Sequence, residues 1–236
     1  MLLRVSCAAA LALLLCAGQG KEVSVDEFLE NLPSLLDTAP EPPEVTEAQV
    51  IELEEGDPET YVFIHGAKAH PPPPVNLGGD GVLTLRRQDS REQVTARYRG
   101  KDGGYSRPEL DKLQRLLRCS ATGKETEISI KLLEILDVVE DKSGSSYLVL
   151  LSGYRSPKFN RKLKGAARWS MHMLGWAADI RVPGRPTAEV ADFANRLGAG
   201  GVGHYPDAGF VHLDAGRSRS WEVKRPEPKP KKEKKK

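Results

Sequence analysis

The chain has 236 residues, 39% of them hydrophobic, with 35 basic and 33 acidic side chains and a formal net charge of +2. That leaves room for one domain of ordinary size with appendages; Cys7 and Cys16 fall in an apolar leader, so a mature chain holding only Cys119 excludes an internal disulfide. The small net charge hides an uneven distribution, with −11 over residues 21–79, +6 over residues 80–223 and +6 over residues 224–236.

Residues 1–20 read as a secretory signal. Arg4 gives the positive start, residues 5–16 an apolar core short for a bilayer span, and Gly18-Gln-Gly20 small residues at the cleavage positions. Lipoprotein processing before Cys16 would put the bulky Leu15 where that signal wants a small residue. Residues 21–79 hold little to build a core and read as an acidic, proline-rich linker with some local structure. The spacing of Val25, Phe28, Leu29, Leu32, Leu35 and Leu36 predicts a helix over residues 25–36, and residues 61–64 predict a strand. Four prolines at residues 71–74 favour a stiff, extended spacer. His65 and His70 flank the strand with no third metal ligand near them in sequence.

Residues 80–223 read as the folded domain. Residues 82–87 and 93–99 predict two strands. Ser106, Pro108 and Glu109 form a helix start of capping-box type, and Leu110, Leu113, Leu116 and Leu117 mark one helical face. Residues 128–139 repeat the pattern with Ile128, Leu132, Ile135, Leu136 and Val139, and both stripes are core. Cys119, just after the first stripe, reads as a packed thiol. Residues 147–151 form an apolar run suited to a buried central strand, which delivers Ser152-Gly-Tyr-Arg155-Ser156 to its end. Ser156 and Pro157 open a short helix to about residue 163, whose Lys158, Arg161, Lys162 and Lys164 read as a solvated basic rim. A strand follows at residues 177–182, then a helix capped by Thr187 and stopped at Gly198, then a hairpin of residues 200–203 and 210–215. Strands and helices mixed without a βαβ rhythm predict an α+β domain whose mostly antiparallel sheet is flanked by helices.

The chemistry concentrates at residues 170–179 and 209–214. His172 lies in the loop before a strand, Asp179 projects from that strand, and His212 and Asp214 alternate with Val211 and Leu213, so both polar groups share one side. Two histidines and one carboxylate are a set that holds a catalytic zinc with a fourth position open. Such an ion lowers the pKa of water toward ~7 and polarises a peptide carbonyl. Arg155 is the candidate to clamp an oxyanion or a substrate carboxylate, for which a planar bidentate donor is suited. Ser170 orients substrate or loop, or caps a turn.

Four motifs occur in order: Ser152-Gly-Tyr-Arg155-Ser, Ser170-x-His172-x-x-Gly175-x-Ala-x-Asp179, Gly201-Val-Gly-x-Tyr205-Pro and Phe210-Val-His212-Leu-Asp214-x-Gly216. Together they resemble the zinc D-Ala-D-Ala metallopeptidases, members of the lysostaphin/D-Ala-D-Ala/hedgehog (LAS) fold group, and within them the MepK-like murein endopeptidase branch. The resemblance covers roughly residues 80–221. It implies the LAS fold, Zn2+ held by His172, Asp179 and His212, and hydrolysis of amide bonds in peptidoglycan stem peptides or cross-links. L,D- and D,D-bonds, and endopeptidase and carboxypeptidase action, all stay open. With the secretory signal it places the protein in the periplasm or cell envelope. VanX-type relatives carry an acid three positions before the last histidine ligand; here that position is Gly209. Asp214 is the nearest substitute, as general base or as the carboxylate that fixes an imidazole tautomer, ahead of Asp207 and His204. A second reading follows from the missing acid: a cell-wall-binding module with a catalytically impaired zinc site.

The expected partner is peptidoglycan and the expected state a monomer. The tail from Lys224 to Lys236 has no apolar residue to pack, reads as disordered, and suits electrostatic contact with anionic envelope surfaces. Without aromatic residues it offers no stacking platform, so nucleic acid is not an expected partner.

Overall fold

The structure, a computed structural model, describes residues 57–224. The secretory signal, the helix expected at residues 25–36 and all of the basic tail after Lys224 lie outside the described residues. No described helix is long and apolar enough to cross a membrane.

Helix α1 (Pro58–Lys68) comes first, then strands β1 (Val82–Arg87) and β2 (Gln93–Arg97), and helices α2 (Arg107–Leu116) and α3 (Ile130–Ser143). Strand β3 (Leu148–Ser152), helix α4 (Pro157–Lys162) and a 3-10 turn (Met171–Leu174) lead to β4 (Ala177–Arg181). Helix α5 (Thr187–Leu197) and strands β5 (Gly201–Tyr205), β6 (Phe210–Asp214) and β7 (Arg219–Glu222) complete the chain. The strands form one sheet in the order β2-β1-β3-β4-β6-β5-β7.

The α+β class holds, but the sheet is mixed rather than mostly antiparallel. β1 runs parallel to β3 and β5 parallel to β7, while the other neighbours are antiparallel. Both parallel pairs join strands that are not consecutive. The chain leaves β2, passes through α2 and α3, and returns beside β1 in the same direction, which a hairpin cannot do. β7 was not expected at all; it leaves β6 by a tight turn and pairs on the far side of β5.

One face of the sheet carries the core. Leu83 and Leu85, Leu148 and Leu150, Ala178 and Ile180, Val202, Val211 and Leu213 lie against Leu113, Leu116 and Leu117 of the α2 region, Leu132, Leu136 and Val139 of α3, and Val190, Ala191 and Ala194 of α5. Each fully buried leucine contributes roughly 1.5–3 kcal/mol. An exposed pair such as Arg107–Asp111 contributes ~0–1 kcal/mol, so this layer and not the charged surface holds the fold. Cys119 is buried, free, and packed beside Ser156, as a structural thiol should be.

Helix ends explain most local differences from expectation. Ser106 precedes α2 but its hydroxyl makes no cap bond; Ser156 does cap α4, accepting from Phe159 N at 3.3 Å. Thr187 is the first residue of α5 rather than its cap, and its hydroxyl meets His204 Nε2 at 3.0 Å instead. The strand expected at residues 61–64 is part of helix α1. Asp57 caps it, accepting from Thr60 N at 2.8 Å, with Pro58 in the first turn. Ile64 is then buried on Met173 and Leu174. Capping and this contact outweigh the β propensity of Tyr61-Val62-Phe63-Ile64.

Candidate metal centre

Strand register sets out the site as a row on the sheet face away from the core. Ser152 of β3 pairs with Asp179 of β4, Asp179 with His212 of β6, His212 with Gly203 of β5, and Gly203 with Trp221 of β7. Side chains alternate along a strand, so residues paired across the sheet share a face: the core side takes Ala178, Ile180, Val211 and Leu213, and the opposite side takes Asp179 and His212. His172 enters from the 3-10 turn above this row. Ser170 caps that turn, its hydroxyl accepting from His172 N at 3.3 Å.

The hydrogen bonds fix both imidazole tautomers. His172 Nδ1 lies 2.7 Å from the carbonyl oxygen of Gly153. A carbonyl only accepts, so Nδ1 carries the proton and Nε2 is bare. His212 Nε2 lies 3.2 Å from a carboxylate oxygen of Asp214, which by the same argument leaves His212 Nδ1 bare. Those two bare nitrogens face each other at 3.1 Å, and Asp179 Oδ1 lies 2.9 Å from the first ring's partner, His212 Nδ1, and 3.2 Å from His172 Nε2.

Three lone-pair donors thus converge with no proton of their own. The crowding calls for a cation. A tetrahedral zinc with arms of ~2.0–2.1 Å has ligand–ligand edges of about 3.3–3.4 Å, close to the 2.9–3.2 Å seen here. The donor set fits the metal. In the metal-free chain the remaining relief is a proton on His212. Burial pulls the pKa of His212 down, but Asp179 and Asp214 outweigh it and the net shift is upward. His172, wholly enclosed, is shifted down by burial despite Asp179. For Asp179, burial works upward, yet the two imidazoles hold the carboxyl well below the usual range.

Asp214 is wholly buried and engaged on both oxygens. Oδ1 accepts from Gly216 N at 2.9 Å and Arg219 Nη1 at 3.0 Å; Oδ2 accepts from Arg219 Nη2 at 2.7 Å and faces His212. Burial alone would raise its pKa, but the bonds from His212 and Arg219 prevail and lower it to about 2. It does not reach the groove.

Arg155 donates from Nε to Ser152 Oγ at 2.8 Å and from Nη2 to Asp179 Oδ2, so one side of its guanidinium braces one of the three converging donors. Arg155 also lines the groove. The other two candidates for the base stand apart. His204 points to the opposite sheet face, between Thr187 and Glu222. Asp207 is exposed on the hairpin turn. Gly209 occupies the same turn with φ +67°, a left-handed conformation that disfavours a side chain, so an acid there would come at the cost of backbone strain.

The groove, of about 310 Å³, is lined by Arg155, Ser170, His172, Asp179 and His212, and by Trp169, Tyr205, Phe210, Arg219 and Trp221. The aromatic wall and Arg219 went unrecognised in the sequence because β7 did. The available signal was the alternation Arg219-Ser-Trp221, with Gly203 opposite: a Cβ there would lie 2.6 Å from the Trp221 ring. Glycine on β5 is what lets that indole lie beside His212, at 5.3 Å between centroids.

Comparison with known proteins identifies the family. Residues 79–221 match the family described as peptidoglycan L,D-endopeptidase MepK. Over 146 residues, 59% of this chain, the sequence is 35% identical to the peptidoglycan L,D-endopeptidase MepK of Escherichia coli K12, covering 79% of that protein. It is 31% identical, over the same share of this chain and 78% of the relative, to the probable peptidoglycan L,D-endopeptidase MepK of Haemophilus influenzae. No solved structure gives a significant match. With four motifs on one converging site and a family match over most of the described residues, the chain belongs to the MepK family, a branch of the zinc D-Ala-D-Ala peptidase group.

Proposed function

We propose that this protein is a zinc-dependent peptidoglycan L,D-endopeptidase of the cell envelope, exported by its N-terminal signal. The observation that carries the reading is the convergence of His172 Nε2, His212 Nδ1 and Asp179 Oδ1, three donors without a proton among them. Zinc held by these atoms supplies Lewis acidity for amide hydrolysis. Gly153 and Asp214 keep the two imidazoles in the ligating tautomer, each by accepting a hydrogen bond from the other ring nitrogen. Asp214 acts in that orienting role rather than as the base, since its carboxylate is enclosed and its lone pairs are spent. Arg155 holds Asp179 with one nitrogen and offers Nη1 to an anionic group of the substrate or to the developing oxyanion. Trp169, Tyr205, Phe210 and Trp221 give the peptide apolar walls and limit access of bulk water.

The relatives' names supply the bond type, a cross-link between an L- and a D-configured centre. The test is incubation of the zinc-loaded protein with purified muropeptide dimers, one set joined by L,D- and one by D,D-cross-links, followed by mass spectrometry. Monomers from the L,D set alone are expected. Monomers from the D,D set alone would move the specificity. Release of a terminal residue without separation of the dimer would make it a carboxypeptidase. The glycine in place of an acid at residue 209 favours one other reading, a binding module with an impaired site; retention on sacculi with no cleavage of either dimer would establish it.

A further inference from the structure

The groove wall beyond His212 holds a hydrogen-bond donor that the converging centre does not use. Tyr205, the last residue of β5, pairs with Phe210 of β6. Each lies two residues from a member of the central row, Gly203 and His212, so both side chains fall on the face of His212, about 7 Å further along the strands. Their rings stack at 4.4 Å between centroids and 12° between planes, and both residues line the groove. Stacking on Phe210 fixes the plane of the phenol.

Trp221 then decides how the hydroxyl bonds. Its Nε1 lies 3.2 Å from the phenolic oxygen of Tyr205. An indole N–H only donates, so that oxygen accepts and its own proton is directed elsewhere. Among the described residues no acceptor takes that proton. The same indole lies against His212, at 5.3 Å between centroids, so the hydroxyl stands one indole away from the three converging donors. In the sheet order β3-β4-β6-β5-β7, Arg155 follows β3 and Tyr205 ends β5. Asp179 of β4 and His212 of β6 therefore lie between a cation on one side and a neutral hydroxyl on the other. The two suit different oxygens. A carboxylate, charged before and after reaction, calls for the guanidinium. A neutral O–H gains most where charge appears during reaction, because a hydrogen bond to an ionised oxygen is roughly twice as strong as one to a neutral oxygen. That gain falls on the transition state.

We propose that Tyr205 is a catalytic residue of amide hydrolysis, donating its phenolic O–H to the oxygen of the scissile carbonyl as that oxygen takes up charge. Trp221 and Phe210 are its positioning residues. The proton stays on the phenol throughout, and Arg155 is left to an anionic group of the substrate. The inference rests on the peptidase reading and adds a residue to it.

Tyr205→Phe keeps the stacked ring and removes only the O–H. With zinc content equal to wild type by elemental analysis, kcat on the L,D-linked muropeptide dimer should fall by ~10²–10³-fold while KM changes little. Calorimetry supplies a readout apart from turnover. A phosphinate analogue of the scissile amide, tetrahedral and anionic at that position, should bind the variant more weakly by a similar factor. A ketomethylene analogue, uncharged there, should bind both chains alike. Trp221→Phe, which removes the donor that aims the hydroxyl, should show a smaller loss of the same kind. An unchanged kcat, or a loss confined to KM and shared by both analogues, would overturn the proposal and leave Tyr205 as wall alone. Failure of the peptidase reading looks different: the wild-type chain would cleave neither dimer, yet its preference for the phosphinate would still be lost in Tyr205→Phe. A wild-type chain that binds neither analogue would overturn both.

Discussion

Two parts of the molecule bury carboxylates, and they treat them in opposite ways. At the candidate metal centre Asp179 and Asp214 are each matched by a guanidinium and an imidazole, and both are shifted below the ordinary carboxylate value. On helix α3, Glu134, Asp137 and Glu140 line one buried side at spacings of three, and a single cation lies beside the first two. Arg99 donates to Glu134 at 2.7 Å and lies 3.6 Å from Asp137. Their other partners are neutral: Tyr98 OH and Gly81 N on Asp137 at 2.7 and 3.0 Å, and Thr84 N on Glu140 at 2.8 Å. Burial, with Asp80 and Asp141 close by, raises Asp137 to about 6 and Glu140 to about 7. Burial alone therefore does not mark a functional carboxylate; the charge of its partners decides. The α3 acids serve the fold, since two of them stand in for strand acceptors along β1 before β3 begins. The acids of the candidate centre hold and orient its imidazoles.

The largest effect should come from breaking the centre. His212→Ala removes one of three converging donors, and zinc content per chain should fall together with muropeptide hydrolysis, by at least the ~10²–10³-fold that loss of one electrostatic group costs. Full zinc occupancy in that variant, read by elemental analysis, would contradict the ligand set.

Next in size is the pH response of the α3 acids. Both hold their protons more tightly in the folded chain than in the unfolded one, where carboxyls titrate near ~4. The native state therefore binds more protons, and stability falls as pH rises from about 4 through the folded values of about 6 and 7. For Asp137 this amounts to a swing on the order of 2–3 kcal/mol. Asp137→Asn/Glu140→Gln should flatten the dependence of the melting temperature on pH over that window and leave zinc content unchanged. An unaltered slope would mean that other groups set it.

Asp214→Asn tests the difference between an orienting carboxylate and a base. As an orienting group it should cost about 10–100-fold in metal affinity or activity, visible as weaker zinc retention against a chelator. If zinc affinity is untouched while turnover falls by ~10²–10⁴-fold, Asp214 is the base after all.

The smallest effect belongs to Tyr98→Phe, which removes the 2.7 Å donor from Asp137. Denaturant titration should show a loss of about 1–3 kcal/mol, greater at pH 8, where the carboxylate is ionised, than at pH 5. Equal losses at both values would show that the phenol matters for packing and not for the charge.

The sequence by itself determined the class, the order of the strands and helices from β1 to β6, the core stripes and the three metal-ligand candidates. Those features are local: a period of two or near 3.6, a Ser-Pro helix start, and donor residues whose chemistry does not depend on neighbours. Tertiary contact decided the rest. Residues 61–64 are a helix because Ile64 meets Met173 and Leu174, more than a hundred positions away. Register placed Ser152, Asp179, His212, Gly203 and Trp221 in one row, and with them brought in β7, Arg219 and the indole wall. Glu134, Asp137 and Glu140 sit among α3 residues that a polar–apolar pattern would put at the surface, and the groups offered by Thr84 of β1, Tyr98 and Arg99 make their burial tolerable. The tautomers of His172 and His212 follow from Gly153 and Asp214, acceptors that the fold brings to the rings. A partner's identity is a long-range fact, and no local period encodes it.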